Sequence, residues 1–295
     1  MELPFFGASQ PGDTYYFSPL KINVFGIVDC SIFGGSLGSH VYNEVQGKNG
    51  GNNVASLFIK ELREKNLLRD DDPGKEITII MENCSGQNKN NMVLRLALFL
   101  VEAKYFKKVT FMFYTVGRTK NAADRWFNML KKTYRRSNLF TYEQLLASMK
   151  THERIAVRKV NAGDFQDFDA FLNSFYKKLE SGIVMKNHIF TVEYSNPTIL
   201  LVKLDNQDGT VITKQEFMKR GKDTLDCYPQ LQTGAAEVQV IPDPGIPDIK
   251  RVELFTKYRP LIPLQFQDIT CPHPGDKALA KIKSEQNTRV HKPQK

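Results

Sequence analysis

The 295-residue chain has only four cysteines, Cys30, Cys84, Cys227 and Cys271, and no two are spaced as C-x-x-C. Neither a disulfide framework nor a zinc cluster is therefore expected. It also lacks any apolar run near the roughly 18–20 residues that a membrane helix needs. The longest such run, Met92 to Val101, is interrupted by Arg95. The first residues carry Glu2 and Pro4 without a basic cluster, which argues against a secretory leader. Gly34-Gly35 and Gly50-Gly51 are not followed by G-K-[ST], so neither is a P-loop. No internal repeat is found. What remains is the expectation of a soluble intracellular protein. Its 41% hydrophobic and 25% charged residues are ordinary globular values and exclude a wholly disordered chain.

Charge is present in excess of one sign, but unevenly. The formal net charge is +9. The window Lys104–Asn138 holds ten basic residues and a single acid, Asp124, and the tail Lys277–Lys295 holds six basic residues and Glu285. The remainder is net acidic. A localised basic segment points to a polyanion partner, most often nucleic acid. A solvated helix face explains the same composition equally well.

Hydrophobic periodicity orders the elements. Ile22–Val28 reads as a buried strand and His40–Val45 as a second strand pairing back on it. A helix follows, with a Val54, Leu57, Phe58, Leu62 stripe and Asn52 or Asn53 as N-cap. Ile77–Met81 and Val109–Tyr114 read as strands apolar on both faces, hence parallel and covered on both sides. Between them, the helix from Met92 to about Glu102 is apolar all round and expected to be buried. A last helix runs from about Ala122 to Tyr134. At about 100° per residue, Trp126, Phe127, Leu130 and Tyr134 share one arc of it. Arg125, Lys131, Lys132, Arg135 and Arg136 occupy the opposite face, with Asp124 among them. The order predicts one α/β sheet with right-handed crossovers. Beyond residue 150, Ile155–Val160 reads as a strand, Phe168–Leu179 as a helix, and 188–204 as a hairpin about Ser195-Asn196-Pro197. Seven of the 14 prolines fall between Pro242 and Pro274, which predicts an extended wrapping segment. The chain past Ala278 is expected to be disordered.

Three acids occupy comparable places. Asp29 and Glu82 end strands and Asp124 opens a helix, and ligands of α/β sheets bind at the carboxyl ends of strands. Carboxylates gathered there can hold two Mg²⁺ ions for phosphodiester cleavage. The plainer explanation is that they are ordinary strand-end and helix-start residues. The loop Glu82–Asn91 concentrates amides and Lys89, more than a turn needs, and predicts contact with phosphate or metal-bound water.

The motifs Glu82-Asn83-Cys84-Ser85-Gly86-Gln87-Asn88-Lys89-Asn90 and Gly117-Arg118-Thr119-Lys120-Asn121-Ala122-Ala123-Asp124-Arg125 resemble D-N-C-x-G-Q-N-K-N and G-H-T-K-N-x-C-D-R of a family known as domain of unknown function 7869. His40–Glu44 with Gly50–Ser56 resembles its first block. That family occurs in dispersed, transposon-like copies and resembles RNase H-like integrases and transposases. The resemblance implies an RNase H-like mixed sheet flanked by helices, with Asp29, Glu82 and Asp124 as catalytic and Mg²⁺-binding residues. It departs from the motif at Glu82 (Asp in the family), Arg118 (His) and Ala123 (Cys). An extra methylene moves a carboxylate by about 1.5 Å where catalysis tolerates about 0.5 Å, and arginine is neither a neutral ligand nor a base.

The expectation is therefore a transposon-derived, nuclear, DNA-binding protein with a degenerate Mg²⁺ site. Lys89, Arg118, Lys120, Arg125, Lys131, Lys132, Arg135 and Arg136 would contact phosphates. The alternatives are an active Mg²⁺-dependent nuclease or transposase, and a protein-interaction domain using the proline-rich stretch. Residues 1–21 are read as a lead-in, 22–150 as the α/β core, 151–276 as a smaller β-containing α+β extension and 277–295 as a basic tail.

Overall fold

The structure, a computed structural model, describes residues 1–7, 10–69, 74–114, 121–150, 152–205, 213–216 and 238–290. In chain order the first elements are β1 (Glu2–Leu3), β2 (Leu20–Asp29), β3 (Ser36–Asn43), α1 (Gly51–Glu64), β4 (Glu76–Met81) and α2 (Asn91–Glu102). There follow β5 (Lys108–Phe113), α3 (Ala122–Tyr134), α4 (Tyr142–Met149), β6 (Ile155–Lys159), α5 (Phe168–Phe175) and α6 (Ser181–Lys186). The last are β7 (Ile189–Glu193), β8 (Asn196–Lys203), β9 (Thr213–Glu216), α7 (Asp248–Glu253), α8 (Leu264–Thr270) and α9 (Asp276–Val290). The mixed α/β class is as expected.

The strands do not form one sheet. The chain divides into two compact units, the first built from 1–47, 121–161 and 243–295, the second from 48–120 and 162–242. Each unit is assembled from separated stretches rather than from consecutive halves of the sequence. The β2–β3 hairpin and the parallel pair β4–β5, expected in a single RNase H-like sheet, belong to different sheets.

The first unit carries the sheet order β1-β2-β3-β6. β2 and β3 pair antiparallel from Ile22↔Asn43 to Asp29↔Ser36, and β6 adds parallel to β3. Trp126 and Leu130 of α3 and Leu145, Leu146 and Met149 of α4 complete a core with Ile22, Leu37, Val41 and Ile155. Close approach of α3 to β2 requires Gly26, because a Cβ there would lie 2.6 Å from the Phe127 ring. His40 is a fully buried strand residue. The proline-rich stretch is helical for most of its length, not extended. Pro247 and Pro263 occupy the N-cap positions of α7 and α8, and Pro260 lies in the first turn of a short 3₁₀ segment. Those positions need no amide donor, so proline starts helices there instead of forbidding them. The tail is also ordered further than expected. α9 buries Ala278 and Ile282, one turn apart, against Val252.

The second unit carries the order β4-β5-β7-β8-β9, with β4 and β5 parallel and the rest antiparallel. Its hairpin 189–203 is as expected. One face, including Val109, Phe111, Phe113, Phe190 and Val192, is buried, and α2 packs on this sheet against β5, β7 and β8. Every residue of α2 from Met92 to Val101 is buried, Arg95 included. β4 does not have the two covered faces its apolar sequence suggested. It is the edge strand, its residues alternate in exposure, and Ile80 remains 54% exposed. The N-cap of α1 is Gly50, not an asparagine. Asn52 is engaged elsewhere, donating to Asp167 Oδ1 at 2.9 Å and accepting from the Asp169 amide at 2.8 Å.

Candidate nucleic-acid interface

Helix α3 starts where local chemistry makes it start. Asn121 Oδ1 accepts from the Asp124 amide at 2.9 Å, and Asp124 Oδ2 accepts from the Asn121 amide at 3.1 Å. This reciprocal pair satisfies two of the donors that a helix N-terminus leaves open. From that anchor, Trp126 and Leu130 turn inward. Arg125, Lys131, Lys132, Arg135 and Arg136 are all exposed. None of the five has an ion-pair partner among the described residues. Arg125, Lys131 and Lys132 lie on the helix itself, and Arg135 at its C-cap and Arg136 just beyond continue the row. Arg118 and Lys120, expected to extend this face, lie outside the described residues.

The acids are differently placed. Asp29, half-buried at the end of β2, accepts from the Ser31 amide at 3.0 Å and from Ser31 Oγ at 2.6 Å through Oδ1. A Cβ built on Gly35 would lie 3.4 Å from the Asp29 carbonyl and 3.3 Å from Trp126 Nε1. The end of β2 and the first turns of α3 therefore flank the same glycine. Glu82 belongs to the second unit, is exposed, and engages Cys84 and Asn88 through its backbone carbonyl. Among the described residues no group of three or more His, Cys, Asp or Glu side chains is placed to hold a metal ion. Of the three expected acids the first unit holds two, Asp29 and Asp124, and the carboxylate of each is engaged by neighbouring groups. This donor set does not fit a two-Mg²⁺ centre, which needs several free carboxylate oxygens around both ions.

Asn88, Asn90 and Asn91 of the amide-rich loop of the second unit are engaged internally. Asn90 caps α2 by accepting from the Val93 amide at 3.0 Å, and donates to the Gln87 carbonyl. Asn91 clasps Leu179, donating to its carbonyl at 3.2 Å and accepting from its amide at 2.7 Å. Lys89, expected on phosphate, is 1% exposed. Its Nζ donates to the Met185 carbonyl at 3.0 Å and lies 5.7 Å from the centre of the Phe113 ring. These side chains fasten the segment from Leu179 to Met185, and the lysine is a strut, not a surface contact. The exposed part of the loop is Glu82 to Gly86, with the free Cys84 thiol among them.

Burial holds the Lys89 ammonium below the ordinary lysine range. The folded state then binds fewer protons than the unfolded chain between that depressed value and the ordinary one. Stability must rise with pH across this alkaline window. Denaturant unfolding from neutral to alkaline pH should show that rise in the wild type relative to Lys89→Met, whose stability lacks the contribution. Parallel curves would mean that Lys89 is not buried as a cation.

Asn121 was not singled out from sequence, although its signal is there. Asn followed three residues later by Asp ahead of an apolar stripe is the pattern of a capped helix start. Asn91 and Arg95 had no such signal, because their partners lie about 80–90 residues away.

Comparison with protein families matches residues 15–208 to the family described as Domain of unknown function (DUF7869). No curated protein and no solved structure matches the chain.

Proposed function

We propose that this chain, which belongs to the DUF7869 family, binds nucleic acid, DNA foremost, through the outer face of α3. The observation that carries the reading is the row of five exposed cations along and just past α3 that have no ion-pair partner among the described residues. Cations of this kind are free to displace the counterions condensed on a phosphate backbone, which supplies most of sequence-independent affinity. A transposon-related origin and a nuclear location belong to the same proposal and rest on the motif resemblance. So does loss of catalysis, supported by the substitutions at Glu82 and Arg118 and by the engagement of the Asp124 carboxylate in its own helix cap.

Binding of the full chain to a duplex, measured against salt, tests this reading. Five phosphate contacts give a slope of about −4.5 in log affinity against log salt, and so a loss of about 500-fold between 50 and 200 mM. No binding at low salt, or affinity indifferent to salt, would overturn it.

A further inference from the structure

The turn between β2 and β3 displays an apolar tip that the fold makes no use of. Phe33 is 99% exposed and Ile32 48% exposed. An aromatic ring so fully in water is unusual for a side chain of that size. The turn is nonetheless built to hold it in place. Ser31 is pinned to Asp29, the Gly35 amide donates to the Ile32 carbonyl at 2.9 Å, and Arg154 Nη1 donates to the Phe33 carbonyl at 3.0 Å. Gly34 and Gly35 take φ of +80° and +74° to close it. A Cβ at Gly34 would fall 2.7 Å from Arg154 Nη1, and its φ of +80° is one that side-chain-bearing residues rarely adopt, so glycine suits the position. The tip therefore has an arginine beneath it. On its other side Gly35 meets Trp126 of α3, whose ring packs edge-on with His152 at a centroid distance of 5.6 Å.

The turn that carries the ring meets α3 at Trp126, the residue after Arg125, near the end of the helix where its row of cations begins. From Arg125 to the C-cap Arg135 that row extends about 15 Å at 1.5 Å per residue, the length of a few nucleotides of backbone. A track of cations leading to an exposed aromatic is the arrangement by which proteins hold single strands: phosphates on the track, a base stacked on the ring. We infer that Phe33 is a stacking platform for an unpaired base, and that the preferred ligand of the first unit is single-stranded nucleic acid or a strand with unpaired bases. This rests on the nucleic-acid reading above and names the form of the ligand. A duplex offers phosphates to the same track but no free base face to the ring.

The test measures equilibrium binding of the full chain to a mixed-sequence single-stranded oligonucleotide and to the duplex of the same length, for wild type, Phe33→Ala and Phe33→Trp. Because Phe33 buries nothing, its unfolding midpoint should not move in either variant. Phe33→Ala should weaken single-strand binding on the order of tenfold, leave duplex binding within about twofold, and be rescued by Phe33→Trp. Unchanged single-strand affinity, or equal loss on both ligands, overturns the inference. Loss of binding to anionic phospholipid vesicles with oligonucleotide affinity intact would also overturn it, in favour of a membrane contact. If the wild type binds both ligands with steep salt dependence and Phe33→Ala alters neither, only the stacking fails. If it binds neither at low salt, both readings fail together.

Discussion

Replacing Lys131, Lys132, Arg135 and Arg136 together by alanine lowers affinity for duplex DNA at low salt by about 100-fold or more and flattens the salt slope from about −4.5 to about −1. The reason is that these four side chains are exposed and have no carboxylate to answer to within the described residues. Their charge is spent on nothing inside the fold. Stability responds far less. Lys131 and Lys132 lie in the last turn of α3, where the helix dipole favours cations by about 0.3–1 kcal/mol each. Partial repulsion among the four offsets some of that loss. A variant that stays folded and loses both affinity and slope assigns the binding to this face. One that binds as the wild type does moves the interface elsewhere.

Arg95→Ala is expected to cost the second unit about 3–5 kcal/mol of stability, read by denaturant unfolding. Arg95 is fully buried in α2. Its Nε donates to the Lys177 carbonyl at 2.9 Å, its Nη2 donates to Asn173 Oδ1 at 3.2 Å, and Nη1 lies 3.6 Å from Asp169. Alanine leaves the Lys177 carbonyl without its donor and opens a cavity the length of the side chain. Asp169 is 58% exposed and returns to water at little cost. Arg95→Met fills the volume without the charge and should cost less, because it also removes the desolvation of the guanidinium. Equal costs for the two would show that the hydrogen bonds, and not the volume, set the penalty.

Helix α3 shows what local sequence can specify. Its cap, its apolar stripe and its row of cations all lie within the sixteen residues Asn121–Arg136, and its bounds, Ala122 to Tyr134, agree with the reading from periodicity. α2 was equally legible, since a ten-residue run with Arg95 as its one polar member leaves no polar face to expose. The partition of strands was not. β4 and β5 read as continuous with β2 and β3, but pairing depends on contacts between residues far apart, and β5 takes β7, some 80 residues later, as its second neighbour. The burial of Lys89 failed for the same reason. Nothing near it in sequence announces that Met185 will supply the carbonyl its ammonium meets. The prolines misled because their number was read without their position. At helix starts proline loses nothing, and Pro247 and Pro263 stand at the N-caps of α7 and α8. Within the candidate site, the cations of α3 were visible from spacing alone. What spacing could not reveal was that Asp124 is held by Asn121 and that Glu82 belongs to a different unit from Asp29 and Asp124.

The most direct test of the interface is a lysine-reactivity footprint of the full chain with and without DNA, read residue by residue by mass spectrometry. Lys131 and Lys132 should be protected from acetylation when DNA is bound. Lys177, Lys178 and Lys186, exposed residues of the second unit, should react equally in both states. Protection of those three with Lys131 and Lys132 unchanged would contradict the assignment of the nucleic-acid surface to α3.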